Sequence, residues 1–102
     1  MNPVKQLLWW LIAGSEGGLN RARIIAALLE RPSNARQLAK RLGLNYTTVR
    51  YHLDILQKNG LVTSTENRYG RMYFLSQLLL DNYSEFEEIW GRVKTEIGEG
   101  EK

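Results

Sequence analysis

Apolar residues recur every three or four positions through the first sixty residues, which is the spacing of amphipathic helices. We expect a first helix at residues 3–13, where Pro3 suits the first turn. Its apolar positions are Val4, Leu7, Leu8, Leu11 and Ile12. Because Trp9 and Trp10 extend the apolar surface around this helix, we expect it to lie buried between the body of the protein and a partner.

Three further helices follow, separated by proline and glycine. Their expected ranges are 20–30, 34–42 and 45–59. Each begins with asparagine, a residue type whose side chain caps helix N-termini, so we expect Asn20, Asn34 and Asn45 to be caps. Gln37 stands three positions after Asn34, as in a capping box.

After residue 60 the pattern changes from helical to extended. Residues 61–64 and 71–75 are compatible with strands, and residues 66–70 have the composition of a turn, which together predict a β-hairpin. From Ser76 to about Gly98 the spacing is helical again. We therefore expect a mainly α fold with a small β-hairpin, in the α+β class.

Six apolar residues of the C-terminal helix are separated by 4, 3, 4, 3 and 4 positions, the spacing of a coiled-coil seam. They are Leu79, Tyr83, Phe86, Trp90, Val93 and Ile97. This stripe either pairs with its copy in a second chain or folds back on the N-terminal helix of its own chain. We expect both terminal helices to build the two-fold interface of a homodimer, with Leu8, Trp9, Leu11 and Ile12 contributing from the N-terminal helix.

The charges divide the chain into a basic body and an acidic tail. Residues 1–75 hold 11 Lys or Arg and 4 Asp or Glu, a net charge of +7, whereas residues 76–102 hold 3 basic and 7 acidic residues, a net charge of −4. A basic body favours a polyanionic partner, although solvated helix faces would give the same composition.

Composition also limits the chemistry. The chain has no cysteine and one histidine, His52, so we expect neither a metal site nor a cofactor. Paired carboxylates and a nucleophile–base pair are lacking, so we do not expect an enzyme. We expect His52 to lie beside the core, bonded to a neighbouring carbonyl. The longest apolar run, residues 7–13, is too short to span a membrane, which favours a cytoplasmic protein.

The turn at residues 42–45 joins two helices and contains glycine, an arrangement typical of a helix-turn-helix. In the second helix Val49, His52, Leu53 and Leu56 fall on one stripe, which we expect to face the core. The opposite face carries Tyr46, Thr47, Arg50, Tyr51, Asp54 and Lys58. Such a helix fits a major groove, where Arg50 could donate two hydrogen bonds to guanine and Thr47 could contact a base. Tyr46 and Tyr51 could contact phosphate or sugar.

Particular motifs follow this turn in order. They are Thr48-Val49, His52-Leu53, Leu56, Gly60-Leu61-Val62, and a hairpin closing with Gly70-Arg71 and Tyr73-Phe74-Leu75. With residues 34–47 they resemble the ArsR-type winged helix-turn-helix of prokaryotic, especially archaeal, transcriptional regulators. The resemblance covers about residues 19–77. It implies a winged helix-turn-helix with added N- and C-terminal helices.

By this resemblance, residues 19–75 are the DNA-binding domain. Outside it, we expect residues 1–18 to be an N-terminal helix and glycine linker at the dimer interface, and residues 76–102 to be the dimerisation helix and acidic end. The helix at 45–59 becomes the recognition helix and residues 66–71 the wing. The implied DNA contacts are Tyr46, Thr47, Arg50 and Tyr51 on the recognition helix, Arg36 and Lys40 on the preceding helix, and Arg68 and Arg71 in the wing. Many family members sense metals through Cys-rich or His-rich sites, which this chain lacks, so metal sensing is not carried over and any effector is unknown.

The expected function is therefore sequence-specific binding of double-stranded DNA by a homodimeric transcriptional regulator, on an inverted-repeat operator. The alternative is a winged-helix module that docks on another protein, because a fold does not by itself determine function.

Overall fold

Helices form most of the described chain, and three short strands form one sheet. The computed structural model describes residues 2–68 and 70–101, with side chains at 2–68 and 70–96. The elements are α1 (Pro3–Leu8), a π-helical segment (Trp9–Ala13), α2 (Gly18–Glu30), β1 (Ser33–Asn34), α3 (Ala35–Leu42), α4 (Tyr46–Lys58), β2 (Val62–Asn67), β3 (Gly70–Leu75), α5 (Gln77–Asp81) and α6 (Tyr83–Glu101). The expected mainly α fold with a β-hairpin is confirmed.

The sheet is antiparallel, with β3 between β1 and β2. In the hairpin Val62 is opposite Leu75, and the pairing continues to Asn67 opposite Gly70. The strands therefore extend through most of the segment expected to be a turn. Strand β1 was not expected, because two residues are too few to show an alternating pattern.

The helix-turn-helix forms as its caps predict. Asn34 and Gln37 make a complete capping box at the start of α3. Gly43, with a φ of 67°, ends α3 in the left-handed conformation, and this reversal turns the chain towards α4. The apolar stripe of α4, with Val49, Leu53 and Leu56 fully buried, packs into the core against α2 and α3.

The glycine segment before α2 forms a turn that is closely packed at Gly18. Gly17 has a φ of 85° and precedes the helix, which begins at Gly18. A Cβ atom at Gly18 would lie 1.8 Å from the carbonyl oxygen of Ile12, so only glycine fits. Asn20 consequently lies inside α2 and does not cap it. Its side chain accepts a hydrogen bond from Arg23.

The C-terminal segment is not one continuous helix. It breaks at Asn82, between α5 and α6, and the Asn82 side chain accepts a hydrogen bond from Asn2 at 3.0 Å. Helix α6 then packs back on α1 and the π-helical segment of its own chain. Lys5 on α1 forms ion pairs with Glu88 at 3.0 Å and Glu85 at 3.5 Å. Of the two arrangements open for this stripe, folding back is the one observed.

This packing changes the set of residues available to a second copy. Five residues expected at a dimer interface are instead buried in the core of the chain itself, at most 4% exposed: Leu8, Leu11, Ile12, Leu79 and Phe86. Tyr83, Trp90 and Val93 are half-buried, whereas Trp9 is exposed. The side chain of Ile97 and the end of the acidic tail lie outside the described residues. Within residues 2–68 and 70–101, no helix is both long and apolar enough to cross a membrane.

Candidate nucleic-acid interface

Helix α4 presents one continuous exposed stripe. Its members are Thr47, Tyr51, Asp54 and Lys58, spaced by 4, 3 and 4 positions, with Tyr51 61% exposed. The side chain of Asn45 accepts a hydrogen bond from the backbone N–H of Thr47 at 2.8 Å, and this cap fixes the first turn of the helix. The stripe is free of the core packing that holds the opposite face of α4.

Tyr46 and Arg50 form a second, less exposed row on the same helix. Arg50 Nη1 donates a hydrogen bond to the Tyr46 hydroxyl at 3.1 Å. The guanidinium carbon of Arg50 lies 5.9 Å from the centre of the Tyr46 ring, and that of Arg36, from α3, lies 5.6 Å from it. Both distances are in the range of cation–π contacts. Tyr46 thus holds two guanidinium groups, one from each helix of the helix-turn-helix.

The wing supplies a third arginine to this region. Arg71 on β3 forms an ion pair with Glu66 on β2 at 3.4 Å, and the two residues are directly paired across the hairpin. Together with Arg36, Tyr46 and Arg50 they line a cleft of about 330 Å³ between α3, α4 and the wing. Three arginines against one glutamate make this cleft strongly positive.

Arg50 differs from the other two arginines in its burial. Its Nε is inaccessible to solvent and has no hydrogen-bond partner among the described residues. The hydrogen bond to Tyr46 raises the pKa of Arg50 above its usual value, and electrostatic attraction to Tyr73, Tyr46 and Asp54 raises it further. The guanidinium is therefore fully charged and has an N–H donor that the surrounding chain leaves unpaired.

On the inner face of α4, His52 contacts a guanidinium rather than a carbonyl, so the expected carbonyl partner is wrong. Arg21 Nη1 lies 3.3 Å from His52 Nδ1, and both side chains are at most 4% exposed. Burial, and then the charge of Arg21, lowers the pKa of His52 below 6.5. His52 is accordingly neutral and accepts the hydrogen bond at Nδ1, because guanidinium N–H groups only donate.

Arg21 links this inner face to the N-terminal segment. It donates to the Leu11 carbonyl at 2.9 Å, the Glu16 carbonyl at 2.8 Å and the Ser15 hydroxyl at 2.7 Å. These acceptors satisfy a buried guanidinium without a carboxylate. Sequence reasoning missed Arg21, although its position, three and four residues before Ile24 and Ile25, is a core position of α2.

The eight residues expected to contact DNA fall into three groups in the structure. Arg36, Tyr46, Arg50 and Arg71 come together at the cleft. Thr47 and Tyr51 lie on the exposed stripe, while Lys40 is exposed one turn beyond Arg36 and Arg68 is exposed at the wing turn. Glu66 was missed, but its place opposite Arg71 follows once the hairpin register is known. Among the described side chains, no cluster of three His, Asp or Glu residues could hold a metal ion.

Comparison with known proteins supports the expected resemblance to the ArsR family. The model of the ArsR family of bacterial regulatory proteins matches residues 20–64. An uncharacterized HTH-type transcriptional regulator of Methanocaldococcus jannaschii is 39% identical over 57 residues, which cover 56% of this chain and 15% of that protein. This chain therefore spans only a small part of that relative.

Two solved structures show the fold. The reduced transcriptional regulator YodB from B. subtilis has a TM-score of 0.71 and 16% identity, with 92% of each chain covered. The Zalpha domain of PKZ from Carassius auratus, in complex with Z-DNA, has a TM-score of 0.55 and 31% identity, covering 60% of this chain and 98% of that one. With the helix-turn-helix and wing described above, these matches show a winged helix-turn-helix fold, whose residues 20–64 are similar to the ArsR family of bacterial regulatory proteins.

Proposed function

We propose that this protein is a transcriptional regulator that binds double-stranded DNA in a sequence-specific manner as a homodimer. The observation that carries the proposal is the exposed stripe of α4 beside a cleft lined by three arginines. Helix α4 lies within the residues that match the ArsR family model. A face with tyrosine, threonine and arginine side chains, free of core packing, suits nucleic acid better than an apolar protein partner.

The geometry gives each group of residues a role. A helix enters a major groove about 12 Å wide, and its first turns reach the base edges. Thr47 and Tyr51 are the residues of the first two turns that lie on the exposed stripe, so they would contact bases. Lys40 and Arg68 would contact the flanking phosphates, which fixes the position of the protein without reading sequence.

A second copy would place two recognition helices one helical turn of DNA apart, about 34–36 Å, so the operator would be an inverted repeat. The exposed Trp9 and Trp10 of the π-helical segment support association of copies, because adjacent exposed tryptophans present a large apolar surface. Half-buried Trp90 and Val93 on α6 are the tail residues available to the same interface.

The test is a binding titration on operator DNA obtained by selecting fragments from genomic DNA. Five expected cationic contacts per chain, namely Arg36, Lys40, Arg50, Arg68 and Arg71, allow up to about ten neutralised phosphates per dimer. The log–log dependence of affinity on salt would then have a negative slope no steeper than about −9, at about −0.9 per phosphate. Arg68→Ala is expected to weaken all duplexes equally. Arg92→Ala, which removes one positive charge from an exposed position of α6, is the matched control and is expected to leave affinity unchanged.

Two outcomes would contradict the proposal. If affinity is independent of salt, or if the protein binds no duplex, the alternative function is favoured. The exposed face of α4 would then dock on another protein. Because the Zalpha domain was solved with Z-DNA, the titration includes a duplex held in the left-handed form. Preference for that duplex over the selected right-handed one would exclude major-groove reading by α4.

A further inference from the structure

The cleft between α3, α4 and the wing joins three guanidinium groups that are distant in sequence. Arg36, Arg50 and Arg71 come from three different elements, and all of them line a space of about 330 Å³. Tyr46 contacts two of the three. Arg50 donates a hydrogen bond to the Tyr46 hydroxyl and also contacts its ring, whereas Arg36 contacts the ring alone. The cleft is therefore organised before any ligand binds.

Arg50 does not lie on the stripe that faces outward from α4. That stripe runs through Thr47 and Tyr51, whereas Arg50 is half-buried and shares its row with Tyr46, which is four positions earlier and on the side that contacts Arg36. A residue that reads bases must extend into the groove. The guanidinium of Arg50 is instead held against the Tyr46 ring at the edge of the wing.

The donors left in the cleft match a phosphate group. Guanidinium groups donate in a planar fork that suits phosphate oxygens, and arginine is used where such oxygens are recognised. The guanidinium of Arg50 lines the cleft, and its Nε has no hydrogen-bond partner among the described residues. The glutamate in the cleft, Glu66, occupies Arg71 at 3.4 Å, and an entering anion would compete with that exposed ion pair.

We propose that Arg36, Arg50 and Arg71 bind one phosphate group in this cleft. On the DNA proposed above, this group is a backbone phosphate, and Arg50 is then a backbone contact rather than a reader of guanine. Tyr46 acts as a positioning residue that holds Arg36 and Arg50 towards the phosphate. This inference rests on the proposed function for the source of the phosphate, but not for the chemistry of the site.

The test compares the wild type with Arg50→Ala on the selected operator and on an operator with altered bases. A backbone contact predicts that Arg50→Ala weakens both duplexes by the same factor and keeps the ratio of their affinities. If the phosphate is no longer neutralised in either half-site, the salt slope falls by about 1.8 per dimer. If the ratio of the affinities for the two duplexes differs between the variant and the wild type, the inference is overturned. Unchanged thermal unfolding of Arg50→Ala shows that the variant is folded, and Arg50→Lys, which keeps the charge but not the fork, is the second variant.

The phosphate itself is located by replacing one backbone phosphate at a time with neutral methylphosphonate. Wild-type binding is expected to weaken at one position per half-site, and the same replacement is expected to cause no further loss in Arg50→Ala. If every replacement weakens both proteins alike, the cleft does not hold a backbone phosphate. Glu66→Gln removes the competing carboxylate and is expected to raise affinity about two- to fivefold, the range of an exposed ion pair.

A separate arm distinguishes a free phosphate compound from DNA as the source. Inorganic phosphate and a nucleoside monophosphate are titrated into wild type and Arg50→Ala without DNA, with binding followed by calorimetry. Binding that the variant abolishes would assign the cleft to a free phosphate compound, even if the wild type bound no duplex. If neither compound binds, but replacing one backbone phosphate with methylphosphonate weakens binding of the wild type and not of the variant, the cleft is assigned to a DNA phosphate. Absence of both effects would overturn the inference.

Discussion

His52 and Arg21 form a buried pair in which neither residue contacts a carboxylate. The charged and titratable groups facing the imidazole are Arg21 from α2 and Tyr51, whose ring centre lies 5.2 Å away on the same helix. A proton on His52 would place two positive charges 3.3 Å apart inside the core. The pair therefore requires a neutral imidazole, and it connects α4 to the turn that follows the π-helical segment.

This pair predicts a loss of stability in mild acid. In the unfolded chain His52 takes up a proton near pH 6.5, whereas burial and Arg21 lower its pKa in the folded chain. Below pH 6.5 the unfolded chain binds more protons than the folded chain. The free energy of unfolding therefore decreases as the pH is lowered, until the pH passes below the pKa of His52 in the folded chain. Each unit of pKa difference contributes about 1.4 kcal/mol, and the full contribution is present above pH 6.5. Urea unfolding between pH 8 and pH 5 measures the slope.

His52→Gln is the control, because glutamine offers Arg21 an acceptor that does not titrate. We expect the free energy of unfolding of this variant to change less than that of the wild type over the same pH range. The ion pair with Lys5 lowers the pKa of Glu88, so this carboxylate loses its contribution only below pH 4.5, outside the window measured. A wild-type curve that stays level from pH 8 to pH 5 would contradict the buried neutral imidazole.

At the scale of elements, local signals in the sequence predicted α4 correctly and predicted the tail incorrectly. Helix α4 has an asparagine cap, a stripe of four buried residues of which three are apolar, and a glycine shortly beyond its end. In the tail, the regular apolar spacing continues across Asn82, where the helix is interrupted between α5 and α6. Ile89, absent from the expected seam, is 1% exposed, because the face that packs is set by α1 and the π-helical segment rather than by a partner strand.

The packing of α6 gives a prediction of its own. Phe86 is 1% exposed and contacts Tyr83 with ring centres 5.1 Å apart. Phe86→Ala is expected to destabilise the protein by about 3–5 kcal/mol, since it leaves a cavity between α6 and the N-terminal segment. Leu80→Ala, at a position 43% exposed on α5, is expected to cost far less. Equal losses for the two variants in urea unfolding would show that the tail does not pack on the N-terminal segment in solution.

For the whole molecule, the fold-back of the tail leaves a smaller apolar surface for a second copy than the spacing alone suggested. Trp9 is 48% exposed and Trp10 is 60% exposed, whereas the leucines and the phenylalanine expected beside them are enclosed by their own chain. The homodimer proposed above would therefore be built around the tryptophans.

This arrangement predicts that the tryptophans control association. Trp9→Ser with Trp10→Ser is expected to shift the chain from dimer to monomer in sedimentation experiments and to weaken operator binding, while a single half-site is bound as before. Leu29→Ser changes a residue 48% exposed on α2 and is the matched control. A wild type that stays monomeric at high concentration would exclude the homodimer.

The sequence by itself determined the helices of the helix-turn-helix, the hairpin that follows them, and the types of residue on the exposed side of α4. These features depend on neighbours within about four positions, so periodicity, caps and turn residues are sufficient to predict them. The tertiary structure decided what packs on the tail, that Arg21 is buried against His52, and that Arg36, Arg50 and Arg71 share one cleft. Each of these joins residues far apart in the chain, whose distances are set only when the elements pack together.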